Sequence, residues 1–185
     1  MSKDLSGKRI EVLKETVPKA VRVAVLLSSA TTLLDRDELK ETESAANHLG
    51  VKVQSLDVSD PNEFQTAYKA MVKERADAVI ILQGSFSSFH RRQLVELAAK
   101  NRLPSMCEES LFVYDGCLMS YGPDVPHLYR RAAIFIDKIL KGAKPADLPV
   151  EQPMKFEFVI NLKAAKQIGL TIPPNVLARA DRVIK

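Results

Sequence analysis

Short β-branched runs alternate along this chain with longer stretches whose apolar residues recur every three or four positions. Residues 20–27 (AVRVAVLL) are almost continuously apolar, the pattern of a strand covered on both faces. Before them, Leu5 to Val17 places Ile10, Leu13 and Val17 at helical spacing, with Ser6 as the expected cap and Pro18 as the stop. Asp35 to Leu49 reads as a helix ended by Gly50, and Val51 to Val58 as the second strand. Asp60-Pro61-Asn62-Glu63 joins an N-cap, a proline at the first helical position and a reciprocal acid. Phe64, Ala67, Tyr68, Met71 and Val72 then share one helical face. Ala78 to Leu82 reads as a buried third strand, and Ser87 or Ser88 opens a helix to Asn101. Pro104 to Cys107 is a short fourth strand and Cys117 to Ser120 a candidate fifth.

Strands separated by helices through short loops predict a doubly wound α/β fold, with a parallel sheet and right-handed crossovers. The pattern changes after Ser120. Pro126 to Lys141 is a long amphipathic helix closed by Gly142, and residues 144–153 (KPADLPVEQP) form an extended, proline-rich connector. Phe156 to Ile160 reads as a strand, Leu162 to Ile168 as a helix capped by Asn161, and Pro173-Pro174 introduces a last short helix. The chain thus divides into a lead-in helix (1–19), a Rossmann-like lobe (20–120) and a C-terminal part (121–185) of crossover helix, connector, strand and helices.

Composition narrows the chemistry. The chain has 185 residues, 46% hydrophobic and 27% charged, which suits one compact domain rather than a disordered or fibrous chain. Net charge is +4, the basic pairs Arg91-Arg92 and Arg130-Arg131 read as solvated helix faces, and Trp is absent, so no nucleic-acid partner is expected. Cys107 and Cys117 are free to pair or to stay reduced, and their spacing matches no zinc signature. The three histidines have no metal-ligand neighbours in sequence, so no metal is expected. The start lacks an apolar segment behind its positive charges, so the chain as written is expected to be soluble and to carry no export signal, which would leave it cytoplasmic.

A strand order of 2-1-3-4-5 puts a ligand crevice between the loops after the first and third strands. There Ser28, Ser29, Ala30 and Thr31 face Gln83, Gly84, Ser85 and Ser87. Unpaired backbone N–H groups at helix starts favour an anion and hydroxyls add neutral donors, so a small acid or zwitterion fits. The same serines and threonines also serve as N-caps and turn formers. Cys107, Glu108 and Glu109 end the fourth strand and reach the same rim, where they suit a cationic part of a ligand. Cys107 reads as a small buried hydrophobe rather than a nucleophile, although folding could bring His90 near it. Neither a P-loop nor GxGxxG occurs, Asp57 alone makes no acidic pocket, and no cofactor or catalytic residue is expected.

Longer stretches carry a resemblance. They are Leu118 to Gly122 (LMSYG) with Asp124, Tyr129-Arg130-Arg131-Ala132-Ala133, and Asp137 to Pro153. Further on come Phe156, Val159 to Lys163, Ala165-Lys166 and Gly169 to Pro174, and earlier Leu5 to Arg9 and Arg75 to Pro104. Together they resemble the substrate-binding proteins of ABC transporters in the type I periplasmic binding fold, in the branch that includes tryptophan-binding lipoproteins. Such proteins are two-lobed clamshells that close on a small solute and pass it to a membrane permease. The chain resembles only their carboxyl-terminal half.

The resemblance implies a periplasmic or extracytoplasmic setting, an ABC permease as partner of an exported full-length protein, and solute contacts from Ser28, Ser29, Gln83, Gly84 and Ser85. Cys107 and Glu108 fall in its third rim loop. Relatives often carry an acidic residue where Gln83-Gly84-Ser85 stand, so no particular solute is implied. It also implies that Pro126 to Leu140 packs against a part not present in this sequence. Two alternatives remain: a non-binding domain that acts by self-association, as a homo-oligomer, and a small enzyme using Cys107 or His90 with Glu108 or Glu109.

Overall fold

The computed structural model describes residues 5–28 and 33–185, with side chains at 33–35 left aside. Ser29, Ala30 and Thr31, expected at the crevice, lie outside the described residues. Five parallel strands come first: β1 (Arg22–Ser28), β2 (Lys52–Val58), β3 (Ala78–Ile81), β4 (Ser105–Cys107) and β5 (Met119–Pro123). Then β6 (Phe156–Asn161) pairs antiparallel with β5, and β7 (Arg182–Ile184) lies parallel to β6. The order β2-β1-β3-β4-β5-β6-β7 contains the expected 2-1-3-4-5 arrangement.

Residue alternation splits the core into two layers. On one face Val23, Val25 and Leu27 of β1 pack with Ile10 and Leu13 of α1 (Ser6–Thr16) and Ala46 of α2 (Leu33–His48). On the other, Ala24 and Leu26 meet Phe64, Tyr68 and Met71 of α3 (Phe64–Lys73). That face continues over Leu94 and Val95 of α5 (Arg91–Lys100), and the Tyr68 hydroxyl donates to the Leu94 carbonyl at 2.8 Å. Burial pushes the Tyr68 phenol well above its ordinary pKa. Each large side chain so buried contributes about 1.5–3 kcal/mol, so β1, buried at every position from Val23 to Leu27, anchors both layers.

Local signals behave as expected in most places. Asp60 accepts from the Asn62 N–H, Glu63 accepts from the Ser59 and Asp60 N–H groups, and those backbone donors hold the Glu63 carboxyl below its ordinary value. Gly50 has φ +67°, the left-handed conformation that closes α2. Asn161 accepts from the Ala164 N–H and starts α8 (Leu162–Ile168), and α9 (Pro174–Leu177) begins at the second of the two prolines.

Three expectations are corrected, and two short elements are added. Ser6 does not cap α1; Leu5 stands at the cap position without a side-chain bond, and Ser6 is buried with its hydroxyl 3.5 Å from Glu38. The helix expected from Ser87 or Ser88 is two, α4 (Ser85–Phe89) and α5, broken at His90. Ser87 causes an earlier start, because its Oγ donates to the Leu82 carbonyl and accepts from the Gly84 N–H, folding a first turn of its own. The fifth strand runs from Met119 to Pro123 rather than ending at Ser120, because pairing with β6 extends it. Finally, α6 (Ser110–Tyr114) and β7 are too short for any periodicity to announce them.

The long crossover helix is α7 (Val125–Leu140), capped by Asp124 through the His127 N–H. None of its side chains is buried. The arm it begins returns where it left: Asp124 N–H donates to the Lys155 carbonyl, and the Lys155 ammonium pairs with the Asp124 carboxylate at 2.9 Å. That ammonium is the main reason the Asp124 carboxyl titrates below its ordinary value, with the His127 N–H second.

Candidate solute crevice at the strand ends

The candidate crevice is the region beyond the carboxyl ends of β1, β3 and β4, and sheet register places the loops around it. Leu26 is opposite Ile81 and Ile81 opposite Cys107, so Ser28, Gln83 and Glu109 leave the sheet side by side. Ser28 ends β1 with its Oγ buried and without a hydrogen-bond partner among the described residues. A buried hydroxyl left in that state is unfavourable by about 1–3 kcal/mol; Gln54 Oε1 and Ser120 Oγ are in the same situation among the described residues. Ser29 is outside the described residues.

Gln83 is half-buried. Its backbone N–H donates to Glu108 Oε1 at 2.9 Å, and its side-chain amide donates to the Glu109 carboxylate. Gly84 is extended and its N–H is used by Ser87 Oγ at 2.8 Å, so this amide supports the turn. Ser85 opens α4 and is exposed. Ser87 acts inside the turn, as its capping alternative foresaw.

The third rim loop differs from expectation. Cys107 is fully buried and joined to Cys117 by a disulfide, so it lies beneath the crevice and offers no group to its surface. The register explains this: Cys107 pairs with Ile81 and points into the layer of Phe112 and Val113, while Met106 before it points into the opposite core layer. The same bond removes the thiol that a cysteine enzyme would need. His90 is surrounded by the rings of Phe64, Phe86 and Phe89, with centroids 4.9–5.7 Å away.

Glu108 is 5% exposed and lies beneath the turn after β3. Its second oxygen accepts from Arg9 Nη2 at 3.2 Å, and Arg9 Nη1 donates to Glu38 Oε1 at 2.5 Å. Sequence reasoning passed over Arg9 and Glu38. A signal was present: Arg9 shares its helical face with Val12, Leu13 and Thr16, all buried, and a charge in an apolar stripe implies a buried partner. Phe86 and the exposed Phe89 add an aromatic edge beside the loop after β3, also unremarked from sequence.

A separate groove of about 340 Å3 lies on the arm, between α7 and the connector, lined by Leu128, Ala132, Phe135, Pro149 and Met154 around the Arg131–Glu151 ion pair. That pair raises the Arg131 pKa and lowers that of Glu151. The groove lies on the arm that leaves the sheet at the carboxyl end of β5. Among the described residues no helix is long and apolar enough to cross a membrane.

Comparisons with known proteins agree with this architecture. A conserved domain protein from Vibrio cholerae superposes with a TM-score of 0.85 at 24% identity, covering 96% of this chain and 60% of that one. An ABC domain from Streptococcus pneumonia, solved in complex with L-Trp, gives 0.85 at 27% identity over 97% of this chain and 60% of its own. A ligand-free, open substrate binding protein with adhesive properties from Clostridium difficile gives 0.71 at 22%, over 96% and 59%. The chain therefore spans about 60% of the length of these structures. No curated relative matches it. The model of the ABC transporter substrate binding protein family matches residues 3–184, nearly the whole sequence, and the chain belongs to that family.

Proposed function

We propose that this chain supplies one wall of a solute-binding cleft, with Ser28 and Ser29 after the first strand and the Gln83-Gly84-Ser85 turn meeting a small organic solute such as an amino acid or carboxylate, and Glu108 bracing that turn from beneath. The observation that carries the reading is the side-by-side exit of Ser28 and Gln83 from adjacent strands, with Ser28 Oγ buried and unpartnered among the described residues. Exposed Ser85 and the aromatic edge of Phe86 and Phe89 suit a solute with a polar end and a planar body. Cys107 is left out of the contact set because it is buried in its disulfide.

Work outside the cytoplasm and delivery to an ABC permease go with this reading. Family membership supports both, and a buried disulfide suits an oxidising compartment. Calorimetric titration with L-tryptophan, other amino acids and benzoate, on the wild type and the Ser28→Ala/Ser85→Ala double variant, tests the site. The wild type is expected to give saturable heat with at least one of these and the variant at least about tenfold weaker binding, a loss of about 1.4 kcal/mol. Equal heats for both proteins would remove the serines from the site.

A second reading has its own observation. The helix α7 leaves Ile136 57% and Leu140 82% exposed, with Val150 and Met154 exposed on the connector, and apolar surface of this kind normally meets a partner. Self-association through that face is compatible with solute binding. Sedimentation velocity showing only monomer at roughly 50 μM, where an interface of standard size stays closed, would rule it out.

A further inference from the structure

One buried guanidinium ties together the segments that shape the crevice. Arg9, 1% exposed, sits on α1 behind the sheet. Its Nη1 donates to Glu38 on α2, the helix that follows β1; its Nη2 donates to Glu108 after β4; and its Nε donates to the Tyr121 carbonyl on β5 at 2.9 Å. The remaining oxygen of Glu108 accepts the Gln83 N–H, which brings in the loop after β3. Gly122, the next residue of β5, lies so close to the Glu108 carbonyl oxygen that a Cβ there would overlap it. Three acceptors fixed by one planar fork define both distance and angle, which a lysine or an apolar residue does not do. Stability alone gives no reason for the arrangement, because well-packed apolar residues generally replace buried ion pairs without loss.

We infer that Arg9 is a positioning residue for the solute crevice: it orients the Glu108 carboxylate, which fixes the Gln83 backbone and with it the turn from Gln83 to Ser85. The inference rests on the crevice reading above, and deepens it by naming a residue that acts from behind the site without touching solute.

The test reads the loop directly. Amide hydrogen exchange at Gln83, followed by NMR without solute, is compared with exchange at Ile80 in the middle of β3, in the wild type and in Arg9→Met, Arg9→Lys and Glu108→Gln. Gln83 is expected to exchange about tenfold faster relative to Ile80 in Arg9→Met and Glu108→Gln, as a local opening would allow, with part of the protection restored in Arg9→Lys. If Gln83 and Ile80 accelerate together, or Gln83 does not change, Arg9 acts on stability alone and the inference fails. Should Arg9→Met not fold, Glu108→Gln and Arg9→Lys carry the same comparison. L-Tryptophan titration of the same proteins separates the two claims. Selective Gln83 exchange with no heat from L-tryptophan or the other solutes in the wild type would sink the crevice reading and leave the positioning role standing.

Discussion

The helices α3 and α7 are both amphipathic, yet they end in opposite situations. In α3, Phe64, Ala67, Tyr68 and Met71 are all buried against the sheet and α5. In α7, six residues longer in sequence, no side chain is buried, and part of its apolar face lines a groove with its own connector. An apolar stripe therefore announces that a helix is made to be covered, and says nothing of what covers it. For α3 the cover is a neighbouring strand laid down by the same lobe. For α7 the described residues supply only the edge of a groove, which accords with a chain that spans about 60% of its structural relatives.

The largest effect that could break this contrast is in the lobe. Phe64→Ala empties a fully buried ring site and is expected to lower stability by about 4 kcal/mol, whereas Ile136→Ala on α7 should stay within about 0.5 kcal/mol. Urea unfolding of the two variants side by side measures both. Equal losses would mean that α7 is packed in solution after all. Next is the junction of lobe and arm. Gly122→Ala puts a Cβ onto the Glu108 carbonyl oxygen and is expected to destabilise by about 1–3 kcal/mol, because Glu108 must move. A variant as stable as the wild type would show that the close approach is not kept in solution.

The smallest effect lies at the base of the arm. Asp124→Ala removes the α7 cap, a loss of about 1 kcal/mol in helix stability, visible as reduced helical circular dichroism. Because the folded carboxyl is held low by Lys155 and the His127 N–H, its contribution is complete above the ordinary carboxyl pKa and fades as pH falls through the lowered folded value. The difference between wild type and variant should therefore vanish in strong acid. A constant difference across that range would mean that Lys155 does not act on Asp124.

Features set by neighbouring residues were readable in the sequence. The capping box at Asp60–Glu63, the Asn161 cap and the glycine after α2 each need only three or four residues to declare themselves, and the structure carries all three. The separate first turn at Ser85 was not readable, because the Ser87 hydroxyl bonds with Leu82 and Gly84 that form it depend on the path of the chain after β3. Candidate site residues divided the same way. Ser28, Gln83 and Ser85 followed from where a parallel sheet opens. Cys107 followed from strand end alone, and pleat direction then buried it beneath the loop it was expected to line.

The near-continuous apolar run of β1 and the helical spacing of the segments around it were enough to determine a doubly wound sheet and the edge at which its parallel strands end, since that run and the 3.6-residue period are carried by the chain itself. Only the tertiary structure decided that Arg9 reaches Glu38, Glu108 and Tyr121, residues 29 to 112 positions away. It likewise decided that β6 returns antiparallel beside β5 and that α7 stays uncovered among the described residues. The physical reason is that a buried charge and an apolar stripe each state a need for a partner, and the partner is chosen by how distant segments pack.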